Sequence, residues 1–119
     1  MAVDDVVGLL DEHEEVSEGY VLVRELKLYL DLDHEYYSPR IRIKIWKSSV
    51  LPDDQYHFTV SHYVHTPLQA TPYHPSRTSA ESEAGAIREA LSTTTSFLKS
   101  ALREGHEPDD RWLVPNEDF

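Results

Sequence analysis

Pro39-Arg40-Ile41-Arg42-Ile43-Lys44-Ile45-Trp46-Lys47 alternates, residue by residue, between a β-branched aliphatic side chain and a cationic or aromatic one. Successive side chains of a strand project to opposite faces. The stretch therefore predicts a strand over 40–47, with Ile41, Ile43 and Ile45 in a core and Arg40, Arg42, Lys44 and Trp46 in a row on the other side.

Outward from this strand, Leu26, Leu28, Leu30 and Leu32 alternate with Lys27, Tyr29 and Asp31, which predicts a first strand over 20–32. Val21 and Val23 are out of phase with the leucines, so either a bulge falls near Arg24 and Glu25 or both faces are covered there. The short connection Asp33 to Pro39 favours antiparallel neighbours, because a parallel crossover needs a dozen residues or more. Ser48 to Asp54, with Pro52, reads as a loop. Over 56–65 a third strand is predicted. It places Tyr56, Phe58, Val60, His62 and Val64 on one side and His57, Thr59, Ser61, Tyr63 and His65 on the other.

Two helices frame this meander. Val3, Val6, Val7 and Leu10 form the stripe of a short amphipathic helix over 3–13. Asp4 and Asp5 stand where the positive end of the helix dipole favours them. Thr78 followed by Glu81 is a capping-box pattern that opens a helix over 79–104. Its stripe is Ala84, Ile87, Leu91, Thr94, Leu98 and Ala101, widened by Ala90, Phe97 and Leu102, and Gly105 supplies the stop. Between strand and helix, 66–78 carries Pro67, Pro72 and Pro75 and forms a long irregular loop. The tail 106–119 holds Pro108 and Pro115, but Trp112, Leu113, Val114 and Phe119 make it apolar enough to pack back on this domain or on a second subunit. The predicted class is α+β, a single αβββα domain with an extended tail.

Composition excludes several functions. The chain has 119 residues, no cysteine and a formal charge of −11. Thiol nucleophiles, zinc–thiolate sites and disulfides are therefore absent. Neither a secretory leader nor an apolar run of about 20 residues is present, so the expectation is a soluble cytoplasmic protein without a membrane partner. Residues 1–35 hold 11 acids and 2 bases, 36–80 hold 2 acids and 5 bases, and 81–119 hold 9 acids and 4 bases. The basic middle lies inside an acidic protein, which argues against generic affinity for nucleic acid.

No motif carries chemistry. His57 and His65 share a predicted face but stand roughly 27 Å apart along a strand, and His62 faces the other way, so no metal site is expected. Ser61 and His62 are predicted to point to opposite faces, which leaves no nucleophile and base pair. Carboxylates adjacent in sequence (Asp4/Asp5, Asp53/Asp54, Asp109/Asp110) read as solvated turn or helix-end residues, as does His106 beside the last pair. Neither a phosphate loop nor a dinucleotide fingerprint occurs, and no cofactor is expected. A cleft at the 65–78 loop, walled by His65, Tyr73 and His74, is the remaining place for an enzyme site.

The outer sheet face is the stronger candidate. Lys27 and Tyr29 would flank Arg40, Arg42, Lys44 and Trp46, with His57, Thr59 and Tyr63 on the far side. Such a face can hold an anionic ligand or stack single-stranded bases, or dock on acidic segments of a protein partner, including a second copy of the chain. A plain solvated face would also carry Lys, Arg and Thr. The leading expectation is a non-catalytic protein that acts through protein–protein contact as a homo-oligomer, with anion or single-strand binding as the alternative.

The order helix, three-stranded meander, helix is similar to that of double-stranded RNA-binding domains and of the related partial fold of HicB-like antitoxins. Thr78 to Ala90 followed by Gly105 and Pro108 resembles the closing helix and exit of the latter. The resemblance implies a fold and no binding residues. RNA-binding members carry Lys-rich helix starts, where this chain has Glu81 and Glu83.

Overall fold

The isoleucine strand forms as its alternation requires and lies second in a four-stranded antiparallel sheet. A computed structural model describes residues 1–49 and 55–119; most of the expected 48–54 loop, with Pro52 and the Asp53/Asp54 pair, lies outside the described residues. The element order is α1 (Val3–Asp11), β1 (Tyr20–Tyr29), β2 (Arg40–Ser48), β3 (Tyr56–Val60), β4 (His62–Val64), β5 (Ser79–Ala80), α2 (Glu83–Arg103), a 3-10 turn (Asp110–Trp112) and β6 (Leu113–Pro115). One sheet runs β1-β2-β3-β5, and β4 pairs with β6 in a separate two-stranded ladder. The class is α+β, with the long helix on one sheet face.

Ile41, Ile43 and Ile45 are at most 2% exposed and meet Ala86, Ala90 and Leu98 of α2 in the core. Leu26 and Leu28 stand opposite Ile43 and Ile41 on the same inner face. The ladder shifts register between Leu22 and Arg24. This bulge explains why Val21 and Val23 are out of phase with the leucines, since one extra residue inverts the facing of everything before it. β1 ends at Tyr29, three residues earlier than expected. The chain then turns through Asp33, whose φ of 58° an aspartate tolerates, and buries Leu30 and Leu32 outside the ladder.

α1 ends at Asp11, two residues short of the expected span. It packs at the Tyr20 end of the sheet, where Asp4 pairs with Lys47. Gly19 permits the approach of Leu10, whose Cδ1 lies 2.9 Å from where a Cβ would stand.

α2 begins later than the Thr78/Glu81 pattern predicts. Ser79–Ala80 pairs with β3 instead, and Ser82 is the N-cap, its hydroxyl accepting from the Gly85 N–H at 3.0 Å. The stripe is accordingly Ala86, Ala90, Thr94, Leu98 and Ala101, while Ala84 is exposed. At the other end Gly105, at φ 87°, closes a Schellman motif: His106 N–H donates to Ala101 O and Gly105 N–H to Leu102 O, both at 3.1 Å.

The largest departure concerns the third strand, which breaks at Ser61. In register Ser61 faces Arg42, next to the Ile43–Val60 pair. Its N–H donates to Arg42 O at 2.9 Å as a ladder residue should. The Arg42 N–H, however, goes to Ser61 Oγ at 2.7 Å rather than to the Ser61 carbonyl. That freed carbonyl accepts from Asn116 N–H, and Asn116 Nδ2 donates to Val60 O, both at 2.8 Å. One serine thus hands the chain from the main sheet to the tail ladder. The tail packs on its own domain, with Trp112 4% exposed and its carbonyl accepting from His65 N–H at 2.8 Å. The helix–meander–helix order is present, but this switch and the tail strand depart from a simple three-stranded meander.

Candidate functional site

The β-alternation of β2 carries Arg40, Arg42, Lys44 and Trp46 to the outer face, and the register sets Tyr29 opposite Arg40, Lys27 opposite Arg42 and Glu25 opposite Lys44. Placing Lys27 against Arg42 sets like charges side by side, an arrangement that is destabilising unless an anion neutralises it. Glu25 comes only to 4.0 Å of Arg42 Nη1.

The strand switch converts this flat face into a groove. Because β6 pairs with β4, the segment from Pro115 runs beside β2, and the Phe119 ring lies 5.0 Å from the Arg42 guanidinium and 4.2 Å from Lys44 Nζ. Lys44 also donates to the Phe119 carbonyl at 2.5 Å. Between β2 and the tail a cavity of about 470 Å³ is lined by Lys27, Arg40, Ile41, Arg42, Ser61, His62, Pro115, Asn116 and Phe119. Arg40 has no carboxylate partner and Lys27 only the face of Tyr29, 5.9 Å away, among the described residues.

Ser61 and His62, expected on opposite faces, are brought together because the break ends the alternation between them. Ser61 Oγ lies 2.8 Å from His62 Nδ1. Burial, with a smaller contribution from Arg42, pushes the His62 pKa below its ordinary value, so the ring is neutral near pH 7 and acts as a hydrogen-bonding group. Nucleophilic catalysis needs a base oriented by a third group. No described residue hydrogen-bonds His62 Nε2, and the serine oxygen also accepts from Arg42 N–H, so the hydroxyl bridges the strand and the imidazole.

The remaining predicted face residues separate. Trp46 is half-buried, and its Nε1 donates to Thr59 Oγ1 at 3.2 Å. His57 packs edge-on against Tyr20 at 5.3 Å, and its Nε2 is buried without a hydrogen-bond partner among the described residues. Tyr63 follows the break and does not line the groove beside Arg40 and Arg42. It stacks on His74 at 4.1 Å and lines a separate cavity of about 220 Å³. The loop candidates do not converge: His65 Nε2 meets Gln69 O at 3.2 Å, Tyr73 packs on Phe97 at 5.1 Å, and His74 stays with Tyr63. Among the described residues no three His, Asp or Glu side chains are grouped to hold a metal ion, and no helix is long and apolar enough to cross a membrane.

Strand alternation sets Ser61 on the outer face but could not find His62, Asn116 and Phe119 as groove residues. The one signal in the sequence was the apolar tail, which had to pack somewhere. Comparison with protein-family models, with curated proteins and with solved structures finds no match for this chain.

Proposed function

We propose that this chain is a non-catalytic binding protein whose groove holds an anionic side chain, carboxylate or phosphorylated, of a partner protein. The observation that carries the reading is the pair of arginines at the groove: Arg40 and Arg42 border one cavity with Lys27, and among the described residues Arg40 has no carboxylate partner. Guanidinium groups match planar or tetrahedral oxyanions by paired hydrogen bonds. Ser61, neutral His62 and Asn116 add polar groups to the wall, and Phe119 and Pro115 add an apolar one.

A protein partner is favoured over single-stranded nucleic acid. Base binding needs a track of cations interleaved with free aromatic platforms. Here Trp46 and His57 are packed into the sheet, and Phe119 covers Lys44. The charge of −11 also repels a polyanion as a whole.

The test is titration of the ¹⁵N-labelled protein with a glutamate-rich peptide, its phosphoserine counterpart and an oligothymidylate. Shifts at Arg40, Arg42 and His62 with either peptide, weakened at least tenfold by Arg40→Glu, support the reading. An unshifted groove with both peptides at low salt ends it. Tightest binding by the oligothymidylate transfers the site to nucleic acid.

A further inference from the structure

Among the described residues β1 lies at the edge of its sheet and is paired on one side only. An uncovered edge is a template for another strand, and proteins that must stay monomeric shorten it, twist it with a bulge, place charge or proline on it, or cover it. Over Arg24–Tyr29 β1 is neither shortened, broken by proline nor covered among the described residues: the bulge lies before that stretch, α1 meets the Tyr20 end, and α2 reaches β1 through the Arg24–Glu83 pair. The edge does carry charge, but Glu25 and Lys27 are of opposite sign and can complement a second copy. Leu26 and Leu28 stay half-exposed on the inner face, and Tyr29 is 62% exposed on the outer one.

The hydrogen-bonding sense of this edge follows from one contact. Leu30 N–H donates to Pro39 O at 2.8 Å, so Leu30 points toward β2. The register is unbroken from Arg24 to Tyr29, and alternation along an antiparallel ladder then turns the backbone groups of Leu28 and Leu26 toward β2 and those of Lys27 and Glu25 toward the open edge. A second β1 running antiparallel about Leu26 would set Glu25 opposite the partner copy's Lys27, and Lys27 opposite its Glu25. Both residues of each pair expose backbone groups to the edge, and both side chains lie on the outer face. Backbone parity, side-chain face and charge thus select one register. In it Lys27, crowded on its own sheet by Arg42, gains a carboxylate neighbour.

We infer that two copies of this chain pair edge to edge through β1, antiparallel and centred on Leu26. The dimer forms about four main-chain hydrogen bonds between Glu25 and Lys27 of the two copies and extends the sheet across a two-fold axis. The inference is independent of the anion-binding reading, which rests on Arg40 and Arg42.

Sedimentation equilibrium of the full chain up to about 1 mM, the range suited to a small interface, tests the dimer. Charge reversals test its register. Glu25→Lys and Lys27→Glu each place like charges opposite one another and should raise the dimer Kd at least tenfold. The double swap Glu25→Lys/Lys27→Glu restores opposite charges and should return Kd to within about threefold of the parent. A parent that stays monomeric overturns the inference, as do single reversals without effect or a double swap that fails to restore pairing. Hydrogen exchange of the unsubstituted chain gives a second measurement that needs no variant. The Glu25 and Lys27 amides should gain protection as concentration rises, while Leu26 and Leu28 are protected throughout. Concentration-independent exchange at Glu25 and Lys27 overturns it equally.

Discussion

Ser61→Ala removes a single oxygen, and the structure specifies what that oxygen does. Ser61 Oγ is the acceptor for Arg42 N–H at 2.7 Å and the partner of His62 Nδ1 at 2.8 Å, in a residue only 7% exposed. In the variant the Arg42 N–H cannot turn to the Ser61 carbonyl, because that carbonyl is taken by Asn116 N–H. An orphaned buried donor costs about 1–3 kcal/mol. The Arg42 bond is only part-buried, so the expected loss lies in the lower half, about 1–2 kcal/mol. With an m-value of about 2 kcal/mol/M in urea, this lowers the unfolding midpoint by about 0.5–1 M at unchanged slope. Asn116→Ala removes the other clamp on the switch, the Nδ2 bond to Val60 O. Because both substitutions loosen one junction, the double variant should deviate from additivity by about 0.5 kcal/mol or more. Ser96→Ala is the control, an exposed hydroxyl bonded to Ser92 O, with an effect within about 0.5 kcal/mol. A Ser61→Ala midpoint indistinguishable from the parent, or strict additivity with Asn116→Ala, would refute the account of how the strand changes sheets.

Two further outcomes follow from burial. Ile43→Ala, at a fully buried position, should cost about 2–5 kcal/mol by equilibrium unfolding, a large share of a stability of about 5–15 kcal/mol; a loss below 1 kcal/mol would mean that the inner face is not the core. Tyr37 is pushed up to about 12, first by burial and then by Asp110 and Asp109. The folded state therefore holds this proton while the unfolded chain releases it near 10. The stability tied to Tyr37 is complete below pH 10 and is lost as pH rises toward 12. Absorbance titration of the seven tyrosines should show a late step that Tyr37→Phe removes. Its hydroxyl is buried without a hydrogen-bond partner among the described residues, so that variant should be no less stable than the parent; early titration or marked destabilisation would contradict the placement.

The tail and the serine switch together make the groove. A continuous third strand would have sent His62 to the inner face with Val60, and the outer face would have stayed a flat row of solvated cations. With the switch, Asn116 and Phe119 become a wall opposite Arg40 and Arg42, and Tyr63 is carried to another cavity.

Whatever period two and period 3.6 encode can be read along the chain. The burial of Ile41, Ile43 and Ile45, the outward row of Arg40, Arg42, Lys44 and Trp46, the irregularity near Val23 and the stop at Gly105 were all legible, because each depends on residues within a few positions of one another. The start of α2 was misplaced because Thr78/Glu81 and Ser82/Gly85 are both reasonable local caps, and pairing of Ser79–Ala80 with β3 selects the second. The position at which the third strand breaks is set instead by long-range packing. That break depends on Asn116 competing for backbone groups of Val60 and Ser61, 55 or more residues away in the chain, and alternation carries no information about a competitor so distant. The same holds for the row at the centre of the chain: its chemistry is local, but Phe119 above it and the open edge beside it are properties of the fold.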